Sequence, residues 1–515
     1  MSRTRKLARN SIFAVISYTI AIITSFVMRM FFVKVLGYKL LGLQAVLITF
    51  VGTLSLVELG IGTAITYLLY KPIAEKNEKK ITLLINLYRK IYRIIGLIIL
   101  VIGLAVSPFL ILIVKEFSFF EMIFPYLIVL SGTVLTYFFS FNHTLLMADQ
   151  NNFIISISNT FSKIITFTLQ ILVLLLINNF VLFIAISVLI SFAENILLSL
   201  VVRIKYPFIN IKATDRFTSD EIKLIKTKVI ALMYHKIGNH IFLGINNILI
   251  SIFLGAVIVG YFSNYTLIST SIVTLIGTIS TGLLATFGNL VATEKIEKFK
   301  SSLMNATFVF LLIYSIVLSG LFVLANQFIT LWLNEEAILP LGVVFLWALN
   351  IFIDGYTVPI AHLRFGAGLF EPEKYLHFVL IIVSLTIAIV SVHFIGLAGI
   401  LLATTVCLIL KHIIVIPHVT YKYIFKQKTF EFYRKIFFDF LLVAGIVASC
   451  FFLNKFINTG RSLLDFVYGI ILCTILPTVI ILIVYIRSNA LKYLINMIRT
   501  LLSKRNKLPP LTPQS

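Results

Sequence analysis

Long apolar stretches and short polar ones alternate along the whole chain. The apolar stretches lie near residues 10–33, 41–70, 91–113, 122–146, 153–176, 180–202, 229–254, 257–290, 303–325, 341–365, 376–395, 398–420, 436–453 and 467–486. Each is long enough, or nearly so, to cross about 30 Å of hydrocarbon. The pattern predicts an all-α polytopic membrane protein with about 14 transmembrane helices. The first stretch exceeds the apolar core of a signal peptide, about 7–15 residues, and no small-residue cleavage site follows it. It is expected to stay as a span.

Polar residues within these stretches gather on helical faces. Between Arg29 and Thr66, residues Ser55, Glu58, Gly62 and Thr66 are spaced 3, 4 and 4, with Gln44 upstream. On a helix that spacing makes one face. Span one carries Tyr18, Ser25 and Arg29 on a stripe that begins at Ser11. Span seven carries Lys236, His240, Gly244, Asn247 and Ser251, and span eight carries Ser263, Thr266, Thr270 and Thr274. Span ten aligns Trp347, Asn350, Asp354, Thr357 and Arg364. Spans three, nine, eleven, thirteen and fourteen are almost wholly apolar and are expected at the periphery.

A turn framed by Leu36, Gly37 and Gly42 recurs as Leu254, Gly255 and Gly260, an offset of 218 residues. Polar faces at matching places in two halves are the pattern of a repeat transporter with one shared cavity. The expected division is an N-lobe at 1-202 (spans 1-6), a basic cytoplasmic linker at 203-228 and a C-lobe at 229-420 (spans 7-12). Spans 13-14 at 436-486 and a basic cytoplasmic tail at 487-515 follow. Thr218 and Glu221 form a capping box that would start the helix into span seven. In the tail, Leu491, Leu494, Ile498 and Leu501 share a face, so it is expected to lie along the inner leaflet.

Composition and charge narrow the class. A chain of 515 residues that is 60% hydrophobic and 12% charged is not an ordinary soluble protein. Its net charge of +23 follows the membrane loops rather than forming a nucleic-acid surface. With the N-terminal side taken as inside, 34 basic residues lie there and 5 lie outside, which makes both termini cytoplasmic. Cys407, Cys450 and Cys473 sit in apolar segments as small packed residues, and the histidines share no ligand spacing. No cofactor, metal cluster or catalytic motif is expected.

Six charges lie well inside spans: Arg29, Glu58, Lys163, Glu194, Lys236 and Asp354. At about 3 kcal/mol each, exposing all six to lipid would cost about 18 kcal/mol, more than the net stability of a typical fold. Most must therefore pair or face water. Arg29 and Lys236 can snorkel to an interface or face a cavity, Lys163 is too deep for easy snorkelling, and Lys411 is close enough to its cytoplasmic end to snorkel. Glu58 and Asp354 are candidates for a titrating coupling site or for structural pairing, and Glu194 is read as a structural partner.

The basic start followed by NSIFAVISY, the KVLGYKLLGL turn, LVELGIGTAITYLLYKPIAEKN and the LFEPEKY connection resemble the Wzx-type oligosaccharide flippases. These belong to the multidrug/oligosaccharidyl-lipid/polysaccharide exporter (MOP) superfamily. The resemblance implies a MATE-like arrangement of two six-helix lobes, V-shaped, with alternating access. It implies export of an undecaprenyl-diphosphate-linked oligosaccharide from the cytoplasmic to the outer leaflet of a bacterial plasma membrane. A coupling ion, H+ or Na+, and association with polysaccharide polymerase machinery come with it. Arg29 resembles a first-helix arginine of the lipid II flippases, whereas Gln44 stands where those relatives carry an acid, which sets lipid II apart as substrate. Two extra helices form a lipid-tail groove in such relatives, a role for spans 13 and 14.

The residue chemistry fits that implication. Arg29, Lys163 and Lys236 suit a diphosphate head, while Tyr18, Asn247, Thr270, Thr274, Trp347 and Asn350 suit sugars. A cation-coupled multidrug exporter is the nearest rival, but it needs acids that are not offset by buried cations. A membrane-embedded polysaccharide polymerase or glycosyltransferase is another, and it ordinarily needs a larger outer loop than this chain has. A structural scaffold is disfavoured by the cost of the buried charges.

Overall fold

Glycine decides where the first two spans part. Helix α1 (Arg3–Leu54) is continuous except at Gly37, whose φ of 78° and ψ of 174° turn the chain between two helical runs. A positive φ is strained for any residue with a Cβ. The second run resumes in α2 (Ile61–Ala74), followed by α3 (Glu78–Val106), α4 (Phe119–Ala148), α5 (Asn152–Leu176) and α6 (Phe180–Lys205). After these come α7 (Gly244–Leu254) and α8 (Ala256–Thr293). A second glycine turn, at Gly255 with φ of 90°, separates α7 from α8.

The computed structural model describes residues 3–55, 61–210, 244–369, 375–456 and 462–505. Among the described residues there is no strand, and twelve helices are long and apolar enough to cross a membrane. Span two, divided between the end of α1 and α2, and span seven, of which α7 is the described end, add to these. The polytopic all-α reading holds, with the count of about fourteen approximate.

By packing, the chain divides into two units, Met1–Ser263 and Asn264–Ser515. In the first, α1 lies along α5, and α4 packs between α3 and α6. Buried tyrosines knit α3 to α4: the Tyr88 hydroxyl oxygen accepts from Thr144 Oγ1 at 3.1 Å, and the Tyr126 hydroxyl donates to the Gly103 carbonyl at 2.8 Å. Each buries ring area while its hydroxyl finds a partner, the usual condition for a buried tyrosine. The start of α1 is tied to the α4–α5 turn, where the Asn10 amide donates to the Gln150 carbonyl at 2.9 Å and Arg9 lies over the Phe153 ring at 3.5 Å.

The second unit is built on α9 (Ile296–Trp332), which packs against α10 (Leu341–Tyr356). Next come α11 (Val358–Gly366), α12 (Leu376–Ile395) and α13 (Leu397–Leu408), the last two forming a tight hairpin at Gly396. Beyond them, α14 (Phe430–Phe456), α15 (Ser462–Val484) and α16 (Asn489–Arg505) all rest on α9. Span nine, expected at the periphery, is thus central to this unit. Hydropathy does not separate lipid-facing from protein-facing apolar residues; the small, fully buried Ser315 and Ser319 allow neighbouring helices to come close. The tail helix α16 likewise turns Leu491 inward.

Candidate functional site

In the first unit Arg29, on the polar stripe of span one, meets Ser263 at the start of span eight's stripe. The Arg29 guanidinium donates from Nη1 to Ser263 Oγ at 2.7 Å, while Ser263 gives its own hydrogen to the Gly260 carbonyl at 2.7 Å. Arg29 is thereby directed at α8 instead of snorkelling away. One turn on, Phe32 packs edge-on against Phe183 at 5.0 Å and fixes the rotation of α1.

The two glycine turns lie against each other. A Cβ at Gly42 would overlap the Ala256 carbonyl, and a Cβ at Gly260 would overlap the Tyr38 carbonyl. Positions 38 and 42 correspond to 256 and 260 under the 218-residue offset, so the contact is reciprocal. Beside it the Tyr38 and Tyr261 rings meet edge to face at 4.8 Å. The Lys39 ammonium donates to the Glu116 carbonyl at 2.9 Å, and the Glu116 carboxylate accepts from the Ala256 amide at 3.2 Å, capping α8. Further along, the Asn247 amide donates to Thr49 Oγ1 at 3.0 Å.

In the second unit charges gather around Asp354. Its carboxylate lies 3.3 Å from His412 Nε2, and His412 Nδ1 is 2.9 Å from Thr357 Oγ1. The Asp354 side chain is 59% accessible, whereas His412 is nearly enclosed. A π-helical turn at Ile409–Val415 carries consecutive residues Lys411 and His412 into buried positions, at 8% and 5% exposure. Arg364 is buried on α11. Lys411 is therefore not a snorkelling residue: the widened turn carries it into a buried position, where it feels the opposite charge of Asp354 and the like charge of Arg364. Span ten's polar stripe splits by depth. Trp347 stands edge-on to Tyr265 at 5.3 Å and Asn350 donates to the Leu401 carbonyl at 3.2 Å, so both serve packing rather than an open cavity.

Next to this cluster's helices runs an apolar groove of about 570 Å³ between α9, α10 and α14. Phe322, Phe345, Phe352, Phe437, Phe440 and Phe451 are among its walls. Span thirteen, expected at the periphery, forms one side of it and also carries a buried acid outside the six in-span charges expected from the sequence, Asp439. The i,i+4 spacing to Lys435 was the available signal.

The other candidates are spread along the first unit and α8. Tyr18, Ser25 and Gln44 are half-buried, with Ser25 bonded to its own helix at Ala21. Lys163 is exposed, and Glu194 lines a polar pocket between α4, α5 and α6. Thr270 and Thr274 are exposed on α8. Glu58, Lys236, His240, the Thr218/Glu221 box and most of the LFEPEKY connection lie outside the described residues.

This arrangement is the fold of the MOP transporters. The chain is similar to the lipid II flippase MurJ in an inward closed conformation, with a TM-score of 0.68 and 14% identity over 92% of this chain and 98% of that one. It is similar to an inward-facing multidrug resistance MATE family transporter, with a TM-score of 0.60 and 15% identity over 81% and 99%. The Vibrio cholerae MATE transporter VcmN gives 0.57 and 14% over 83% and 98%. These are flippases and transporters, not enzymes. The polysaccharide biosynthesis protein family model matches residues 7–287, and the chain belongs to that family. No curated protein matches it in sequence.

Proposed function

We propose that this protein moves an undecaprenyl-diphosphate-linked oligosaccharide repeat unit from the cytoplasmic to the outer leaflet of a bacterial plasma membrane. Its two termini are cytoplasmic, and the product feeds capsule, exopolysaccharide or O-antigen-type polysaccharide. The observation that carries this reading is the phenylalanine-lined groove walled by α14, whose apolar surface suits an isoprenoid tail. Arg29 offers a charge-assisted donor to the diphosphate, and Lys163 a second cation. Alternating access, coupled to H+ or Na+, re-exposes the head group outside. A drug exporter would need an acidic cavity, whereas here Asp354 is paired with His412 and lies in the field of Lys411.

The test is the sidedness of lipid-linked oligosaccharide in cells depleted of the protein, probed with a membrane-impermeant reagent for the glycan. Completed units should accumulate on the cytoplasmic leaflet and be rescued by wild type but not by Arg29→Ala/Lys163→Ala. Normal outer-leaflet delivery without the protein, or full rescue by the double variant, would defeat the reading.

A further inference from the structure

Three arginines meet where α3 passes from polar to apolar sequence. Arg89 and Arg93 stand one turn apart on α3, just before the aliphatic run that begins at Ile94, and Arg203 lies in the last turn of α6. After α6 the chain crosses back over α3. There Thr82 Oγ1 donates to the Phe208 carbonyl at 3.4 Å and Arg89 Nη1 to the Ile209 carbonyl at 3.5 Å. The Arg89 guanidinium also lies over the Phe141 ring of α4 at 4.2 Å. These contacts hold it within the field of Arg93 and Arg203, whose like charges both bear on it.

Among the described residues no acid lies within ion-pair distance, 4.0 Å, of any of the three. Asp149, an acid at the same end of the unit, is taken up by the Tyr206 hydroxyl and the Asn151 amide, each at 2.6 Å, with Lys205 at 3.9 Å. Arg93 and Arg203 are exposed. Like charges gathered without a counter-charge repel, and an anion that reaches them relieves the repulsion.

From the arginines toward the middle of each span, both helices are apolar and exposed. Leu97, Val101 and Leu104 continue the Arg93 face of α3, and Ile196 and Leu200 continue the Arg203 face of α6. A soluble anion would make no use of these rows, whereas a lipid places its phosphate at the cations and its acyl chains along the aliphatic side chains.

We propose that this face binds an anionic phospholipid, its phosphate held by the Arg89, Arg93 and Arg203 guanidinium groups. Their planar donor forks suit phosphate oxygens, and their charge favours an anionic head group over a zwitterionic one. The leaflet is the inner one in the orientation proposed above, but the binding does not depend on what the protein transports.

The probes are phosphatidylglycerol and phosphatidylcholine, titrated into purified full-length protein in a neutral detergent. Thermal unfolding reads stabilisation, and native mass spectrometry counts the lipids retained. Phosphatidylglycerol should raise the melting temperature saturably and phosphatidylcholine should not, as expected of a ligand selective for the native state. Arg93→Gln/Arg203→Gln should raise the half-saturating phosphatidylglycerol concentration about tenfold, whereas Lys71→Gln/Lys79→Gln, which removes the same charge from exposed positions on α2 and α3, should leave it within about twofold. If the arginine pair fails to fold, Arg93→Gln alone, at an exposed position, should still weaken binding. Equal responses to the two lipids, unchanged binding in the arginine variants, or an equal loss in the lysine pair would overturn the proposal. Equivalent stabilisation by inorganic phosphate would overturn it as well, because the site would then take a soluble anion.

Discussion

Tyr356 donates its hydroxyl hydrogen to Asp439 at 2.6 Å, joining α10 to α14 through a carboxylate with no exposed surface. Lys435 Nζ reaches the same oxygen at 2.5 Å, and the Tyr485 hydroxyl at the end of α15 reaches the other. Three donors from three segments satisfy one buried acid, so the pair of C-terminal spans is locked to the helix that bears Asp354.

Removing the acid should be far worse than removing one donor. Asp439→Ala leaves Lys435 uncompensated and is expected to cost about 3–5 kcal/mol, against about 1–2 kcal/mol for Tyr356→Phe. Thermal unfolding of the purified variants checks the order; equal effects would show that the carboxylate is not the hub.

The glycine turns separate two causes of strain. Gly37 has open space around its missing side chain but a positive φ, so Gly37→Ala should cost about 1–2 kcal/mol from backbone alone. At Gly42 the Ala256 backbone occupies the position a Cβ would take, and Gly42→Ala should cost about 3 kcal/mol or more. The two melting temperatures, compared in one detergent, read this difference directly.

Filling the apolar groove should impair export without unfolding the protein. Ala444 and Ala448 line it, and Ala444→Phe places a ring where the lipid tail is proposed to lie. Outer-leaflet delivery should fall at least tenfold while the melting temperature stays within a few degrees; unimpaired delivery would move the tail site elsewhere.

Asp354→Asn removes the carboxylate that faces His412 and Lys411. Transport should be lost, with stability falling by about 1–3 kcal/mol as the buried cations lose their counter-charge. Adding Lys411→Met should restore stability but not transport, which separates the two roles.

Much of this was legible in the sequence because the signals were local. Gly37 and Gly255 announce a turn by their spacing, and the stripe through Ser25 and Arg29 announces a face that meets a partner. Which partner fills a face is a property of the fold: Trp347 and Asn350 share a stripe with Asp354, yet Tyr265 and the Leu401 carbonyl occupy them. Asp439 leaves little trace in the sequence, because one acid among apolar neighbours scarcely alters hydropathy. Lys411 reads as a snorkelling residue from helical periodicity, on which the widened turn that buries it leaves no mark.

The reciprocal glycine contact also bears on how the two repeats can diverge. Each glycine's vacant side-chain volume is occupied by backbone from the other repeat, at Ala256 and at Tyr38. A change on one side cannot be absorbed by a compensating side chain opposite, because no side chain is involved. These two positions are therefore bound to each other like the halves of a clasp: neither can gain a side chain unless the backbone opposite moves.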